Sequence, residues 1–497
     1  MERRLSLATL PDLPATVERP AYDPARVAIG IVHLGLGAFH RAHQAVFTDA
    51  LLARDPRWGI LGTSMKTPRA TRPLAEQDGL YTVLTRGEEL KSARVVGAIR
   101  ATAFAGDPGA DLVARIADPK VTVVSLTVTE KGYCHDPASG RLDFSHPDIV
   151  HDVESPRAPR SVVGLLVAAL DGRRLAGSGR LNVVCCDNLP RNGRVVEGLV
   201  GEFAARRGAA LADWIAENAA FPGTMVDRIV PATTEADTED VERMLGVHDG
   251  AAVVAEPYNQ WVVEDRFVAP RPAWEDAGAT LTRDIEPFET LKLRMLNGSH
   301  STLAYLGFLA GHETIAQAAR DPPLATFVER QMREEIAPTL QAPSGVAIDD
   351  YALELGRRFR NPALPHRTRQ VAMDGSQKLP QRLLNTIRED LAVGRPIDRL
   401  ALSVAGWMRY VHGRDEHGRT IDVADPLASR FSALATEHLD APAAFARALI
   451  DIDTIFGRDL REDPRFVDKV TAALESLFAN GVRSTVERTN QRLLVRS

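Results

Sequence analysis

The sequence predicts an α/β chain in two parts. Residues 1–285 read as a doubly wound, Rossmann-like domain, and residues 286–497 as a mainly α-helical one. Three observations predict this. An apolar strand near the N-terminus runs straight into a glycine turn and a helical pattern. Further β-branched strands then alternate with helical stretches as far as about residue 265. From Glu286 onward helix follows helix, punctuated by Pro338, Pro343, Pro362, Pro365 and Pro396. A chain of 497 residues is also too long for a single core.

Residues 1–27 form a proline-rich lead-in. Val27-Ala-Ile-Gly-Ile-Val-His-Leu34 reads as a buried strand. Gly35-Leu-Gly37-Ala-Phe39-His40-Arg41-Ala-His43 opens a helix that continues through Phe47 and Leu51. Strand, glycine turn and helix is the layout that sets a pyrophosphate on a helix N-terminus. Gly35 and Gly37 fit the dinucleotide fingerprint, and His40 stands where its third glycine belongs. Phe39, His40 and Arg41 are candidate cofactor contacts with them; a plain strand-to-helix turn is the other reading. Strand Trp58–Ser64 ends without the acid that holds the adenosine ribose of NAD. Lys66, Arg69 and Arg72 stand there instead. They suit a 2′-phosphate or an exposed turn equally, so NAD and NADP both stay open.

Val95–Ala101 reads as a short strand and Asp111–Ala117 as a helix. Val121–Thr129 is a central β-branched strand that delivers Glu130 to the carboxyl end of the sheet, where ligands gather. There Glu130 is either a proton relay or a solvated loop acid. Asp136–Pro159, rich in Pro, Asp and Ser, reads as surface loop, and Ser161–Leu170 as helix. Leu181–Cys186 is a buried strand that delivers Asp187 and Asn188, whose amide offers donors and an acceptor. Thr224-Met-Val-Asp227-Arg228 begins another strand, and Pro257–Arg266 is extended.

The chemistry concentrates in Leu291-Lys292-Leu-Arg-Met-Leu-Asn297-Gly-Ser-His300. Leu293, Leu296, Leu303 and Leu306 recur at helical spacing. On an α-helix Lys292, Asn297 and His300 fall within roughly 140° of arc and about 12 Å of rise. The chain holds 60 Lys plus Arg, of which only seven are Lys and 53 Arg. A lysine kept inside an apolar helix is the cation whose proton can leave, which Arg cannot match. The alternative is a helix whose polar residues face solvent. His366-Arg367-Thr-Arg369-Gln370 through Lys378 to Arg382 gathers further polar groups, as a wall around an oxygen-rich substrate or as a basic surface loop.

Bulk properties exclude several classes. A net charge of −6 without a dense basic block argues against nucleic acid. No apolar run reaches the length of a membrane span, and Met1-Glu-Arg-Arg shows no secretory signal, so a cytoplasmic protein is expected. Cys134, Cys185 and Cys186 make no disulfide framework. No Cys/His cluster has metal-ligand spacing, so no metal is expected.

Gly35-Leu-Gly-Ala-Phe-His-Arg-Ala-His43, Cys186-Asp-Asn-Leu189, Thr224-Met-Val-Asp-Arg228 and Lys292-Leu-Arg-Met-Leu-Asn-Gly-Ser-His300 occur together and in order. They resemble the mannitol dehydrogenase family, the polyol-specific long-chain dehydrogenases/reductases, over roughly residues 27 to 480. The resemblance implies a metal-independent enzyme that uses NAD(H), sometimes NADP(H), to interconvert a secondary alcohol and a ketone on a polyol or hexonate. It implies Lys292 as general base, and Asn188 and Asn297 as the pair polarising the reacting oxygen. It further implies His300 as orienting partner, Glu130 as the acid of the proton channel, and Asp227 and Lys378 as substrate contacts. A small-molecule substrate and a monomer or weak oligomer are expected.

Within the family, Thr129-Glu-Lys-Gly-Tyr-Cys134, Gln260–Val268 and His366–Lys378 most resemble the branch that interconverts D-fructuronate and D-mannonate. Mannitol- and arabinitol-oxidising branches are the alternative. The best-known mannitol type carries an arginine eight residues before the second lysine; here that residue is Gln370. Arg367 and Arg369 remain nearby to pair a substrate carboxylate, or the phosphate of a sugar phosphate. A binding protein that had lost catalysis would show a broken lysine motif, and all three members are present.

Overall fold

A computed structural model describes residues 3–494 except 89, 108, 137, 138 and 364. The chain divides into two compact units, Met1–Glu286 and Pro287–Ser497.

The first unit is built on six strands, numbered within this sheet: β1 Ile29–Leu34, β2 Gly59–Ser64, β3 Ile99–Phe104, β4 Val123–Leu126, β5 Leu181–Cys185 and β6 Ala219–Ala220. They lie in the order β3-β2-β1-β4-β5-β6, every neighbouring pair parallel. The order reverses between β1 and β4, the point at which such sheets open a crevice beyond their carboxyl ends. Period-2 alternation sends Val32, Leu34, Val124, Leu126 and Val183 to one face. There they meet Leu166, Leu170, Val196 and Leu199 of helices Val162–Ala176 and Asn192–Arg207. Ile31, Ile60, Val123 and Val184 go to the other, with Phe47, Leu51, Trp261 and Trp274. Both faces are covered, which is why these strands read as continuous apolar runs.

Three expectations need correction. The strand expected over Val121–Thr129 stops at Leu126, because the amides of Val128 and Thr129 bond to the Asp187 carboxylate, at 3.0 and 2.9 Å, and leave the ladder. The strand expected over Val95–Ala101 is two: Ile99–Phe104 is β3, and Lys91–Val96 pairs antiparallel with Tyr81–Arg86 in a separate small sheet. The loop expected over Asp136–Pro159 contains a helix, Pro147–Glu154, with proline at its first position and the His146 ring accepting from the Asp148 amide.

The second unit is helical. Its centre is Asp398–Val411, buried at every residue from Arg399 to Val411. The single helix that the spacing of Leu293 to Leu306 predicts is interrupted: α-helix Glu286–Leu291, a π-helical segment Lys292–Gly298, and α-helix Ser299–Leu309. The last is buried on all sides except at Phe308, not along one apolar stripe. Two more π segments occur, Gln331–Ile336 and Pro380–Leu384. No helix among the described residues is long and apolar enough to cross a membrane.

Candidate active site

The glycine turn follows β1. Gly35 has φ +99°, and a Cβ there would lie 2.2 Å from the Thr127 carbonyl oxygen, so only glycine lets β1 turn so close to the end of β4. Gly37 differs. Its backbone is extended (φ −121°), and a Cβ would meet only the Gly35 oxygen, at 3.8 Å. Gly37 therefore leaves a cradle at the start of helix Ala38–Ala42, beside the switch point of the sheet, and these residues fit a dinucleotide phosphate. Phe39 is half-buried and stacks on His43 at 5.1 Å.

His40 fills the third fingerprint position in an unexpected way. It is buried, and its ring lies flat on His33 of β1, centroids 3.4 Å apart. A flat ring here makes the close helix–strand contact that the third glycine makes elsewhere. Arg41 is likewise committed to the scaffold, its guanidinium donating to Gly37 O (3.2 Å) and Ala251 O (2.5 Å). Lys66, by contrast, is exposed at the end of β2.

His33 braces the turn from below. The Thr127 hydroxyl donates to Gly35 O (2.8 Å), so its oxygen accepts from His33 Nε2–H, and Nδ1 accepts from the Ser125 hydroxyl (both 2.9 Å). Burial pushes the His33 imidazole down to about 3. The folded protein thus refuses a proton that the unfolded chain accepts below about pH 6.5. The stability present above pH 6.5 is therefore lost as pH falls toward 3, by about 2 kcal/mol at pH 5 from this residue. His366 is lowered to about 4, by burial and then by Lys378, and acts in the same direction. Urea midpoints are expected to fall between pH 7 and 5; a flat profile over that range would contradict neutral burial.

Beyond β4 and β5, Asp187 is a residue that the sequence reading left without a role. Besides the Val128 and Thr129 amides it accepts from the Tyr133 hydroxyl at 2.6 Å. Burial raises its carboxyl, against the pull of these bonds. Asp187 holds Thr129 at φ +68°, an uncommon conformation for threonine, and with it the backbone that carries half-buried Glu130. Asn188, the next residue, is exposed. Asn192 ties this corner to strand Thr224–Asp227, donating to Asp187 O and Thr224 O and accepting from the Thr224 amide. Asp227 ends that strand and is buried.

In the second unit the lysine motif lies on the π segment. Lys292 is 6% exposed, Asn297 and His300 each 7%. Rings closed by i→i+5 bonds turn residues five apart toward one face, so within this segment Lys292 and Asn297 are closer in azimuth than an α-helix would set them. Gly298 permits the packing. A Cβ there would lie 2.7 Å from the Arg382 carbonyl oxygen, on the neighbouring π segment. His300 sits 5.4 Å from Phe359 and 5.0 Å, edge-on, from His366 by ring centroids. Its imidazole is held well below the usual range, first by burial and then by the charges of His366, Arg382, Arg358 and Lys378. Lys378 is half-buried and donates to Met373 O at 2.6 Å. Arg367 is exposed, and Arg369 is more than half exposed in an ion pair with Asp422.

Among the described residues, one Cys/His group forms in space that has no metal-ligand spacing in sequence. Cys134, His146 and Asp148 bring their ligand atoms within 4.8 Å of one another, across a loop whose spacing gave no hint of it. His146 Nδ1 already accepts from the Asp148 amide. The Cys134 thiol is pushed up to about 11, by burial and then by Asp148 and Asp152. The group is thus a protonated thiol beside a hydrogen-bonded ring.

Two family models match the chain: the mannitol dehydrogenase Rossmann domain over residues 29–276 and the mannitol dehydrogenase C-terminal domain over residues 284–478. The protein belongs to the mannitol dehydrogenase family. Among its relatives in that family, D-mannonate oxidoreductase of Escherichia coli is 46% identical, over 97% of this chain and 99% of the relative. Mannitol 2-dehydrogenase of Phaeosphaeria nodorum is 39% identical, over 94% and 82%. The solved structure of Pseudomonas fluorescens mannitol 2-dehydrogenase, a ternary complex with NAD and D-mannitol, matches with a TM-score of 0.91 at 38% identity, covering 99% of this chain and all of that one.

Proposed function

We propose that this oxidoreductase interconverts a secondary alcohol and a ketone on a hexonate, D-mannonate and D-fructuronate, with NAD as hydride carrier. The observation that carries the reading is the lysine of the π segment, nearly dry, with Asn297 and His300 of the same motif buried as well. Desolvation disfavours the charged amine and so eases loss of its proton. NAD, when bound, supplies the hydride acceptor. Lys292 takes the hydroxyl proton at Nζ, while Asn188 and Asn297 donate amide hydrogens to the oxygen as it becomes negative. His300, neutral through burial, fixes the sugar by one hydrogen bond, and Glu130 relays the proton outward. Asp227 and Lys378 hold substrate hydroxyls. Gly35, Gly37, Phe39, Lys66, Glu130 and Asn188 meet the cofactor, and His40 and Arg41 keep the turn in shape.

The hexonate is favoured over a neutral polyol by the higher identity to D-mannonate oxidoreductase than to mannitol 2-dehydrogenase, and by Gln370. A neutral polyol is the second reading, supported by the likeness to the mannitol complex. A panel of D-mannonate, D-mannitol, D-arabinitol and mannitol 1-phosphate, each with NAD and NADP, separates them. D-mannonate with NAD is expected to give the highest kcat/KM. Turnover of mannitol without turnover of mannonate would move the assignment to the second reading.

A further inference from the structure

A hexonate differs from a polyol by one carboxylate, which in D-mannonate stands at the far end of the chain from the carbon that is oxidised, so a site that selects it needs a cation fixed beyond the reacting hydroxyl, along the length of the sugar. The two arginines nearest in sequence to that role, Arg367 and Arg369, are exposed, and Arg369 is bonded to Asp422. The π segment Pro380–Leu384 offers another. Its backbone lies against Gly298, one residue from Asn297, so closely that a Cβ there would come 2.7 Å from the Arg382 carbonyl oxygen. That contact carries Arg382 alongside the start of helix Ser299–Leu309, where its Nη1 donates to Ser301 Oγ at 3.0 Å. Ser301 is buried and adjoins His300. Arg358 reaches the same neighbourhood from another helix. It is buried, and it adjoins Phe359, whose ring lies 5.4 Å from His300. His300 Nε2 is buried there without a hydrogen-bond partner.

We propose that Arg382, together with Arg358, is the carboxylate receptor of the substrate site. The inference rests on the hexonate reading above. A guanidinium offers a planar fork that a carboxylate fills with two parallel hydrogen bonds, and Lys cannot reproduce it. The surroundings agree: Arg382, Arg358 and Lys378, the charged side chains that act on His300, are all basic. His300 and His366, kept neutral by burial, add hydrogen bonding without adding charge.

The test is steady-state kinetics of wild type, Arg382→Gln and Arg382→Lys on D-mannonate, D-mannitol and mannitol 1-phosphate at saturating NAD. Arg357→Ala serves as control, since Arg357 is exposed and forms an ion pair with Glu354 of its own helix. Arg382→Gln is expected to raise KM for D-mannonate about 10- to 100-fold with little change in kcat, the size of a lost charge-assisted hydrogen bond. Arg382→Lys is expected to fall between, and the control to match wild type. Wild-type KM for D-mannonate, but not for a neutral polyol, should also rise with salt. A fall in kcat without a rise in KM, equal losses on neutral and acidic substrates, or a loss confined to mannitol 1-phosphate would overturn the assignment. So would a selective loss in Arg367→Ala with Arg382→Gln unaffected. If wild type does not turn over D-mannonate, the hexonate reading falls with it; if it does and Arg382→Gln is unselective, only the receptor falls.

Discussion

Lys292→Ala is expected to lower kcat by about 10³-fold while leaving NADH affinity within about twofold, because general-base transfer carries a factor of about 10²–10⁴. The argument rests on burial and residue type together. At 6% exposure the amine is largely stripped of water, and its neutral form is the one that accepts a proton. Lys292→Arg should not restore turnover, since a guanidinium stays charged at any pH the protein tolerates. NADH fluorescence titration beside steady-state rates reads both halves of the prediction. A variant with turnover within tenfold of wild type would place the base elsewhere.

Gly35→Ala and Gly37→Ala should fail in different ways. At Gly35 the new methyl meets a backbone oxygen at 2.2 Å, and φ +99° is unfavourable to any side chain. The obstructing Thr127 cannot yield easily, because its amide donates to Leu34 O at 2.9 Å and its hydroxyl to Gly35 O. A loss of stability of about 3 kcal/mol is expected, with cofactor binding lost alongside. At Gly37 the methyl meets only the Gly35 oxygen, at an ordinary 3.8 Å. Stability should hold, while dinucleotide affinity falls because the cradle is filled. Denaturant midpoints and NADH titrations on both variants test the contrast. Equal melting of the two would show that the turn is not read correctly.

Local features carried much of this from sequence. β1, the glycine turn and the helix after it involve neighbours in the chain, and residue type alone constrains them: φ +99° at Gly35 admits little else. The apolar strands were visible because a sheet covered on both faces demands continuous runs. The helical spacing through Leu293–Leu306 marked the lysine motif, but not its π geometry. That geometry accompanies Gly298 seated on Arg382, a contact between residues 84 apart that no local pattern encodes. Arg382 closed the polar stretch read as a substrate wall, but nothing local set it apart there from Arg367 and Arg369. Asp187 was passed over for a similar reason, since its partners, Val128, Thr129 and Tyr133, lie more than fifty residues away.

The sequence by itself determined a nucleotide-type α/β unit followed by a helical one, and the group of residues with the chemistry to move a proton. Spacing, turn stereochemistry and apolar period are local, so they survive without coordinates. Only the tertiary structure decided which of those residues are dry, that His40 is a stacked spacer, and that Arg382 bonds to Ser301. Desolvation, close backbone approach and charge proximity belong to pairs of segments, and a single chain read in order does not contain them.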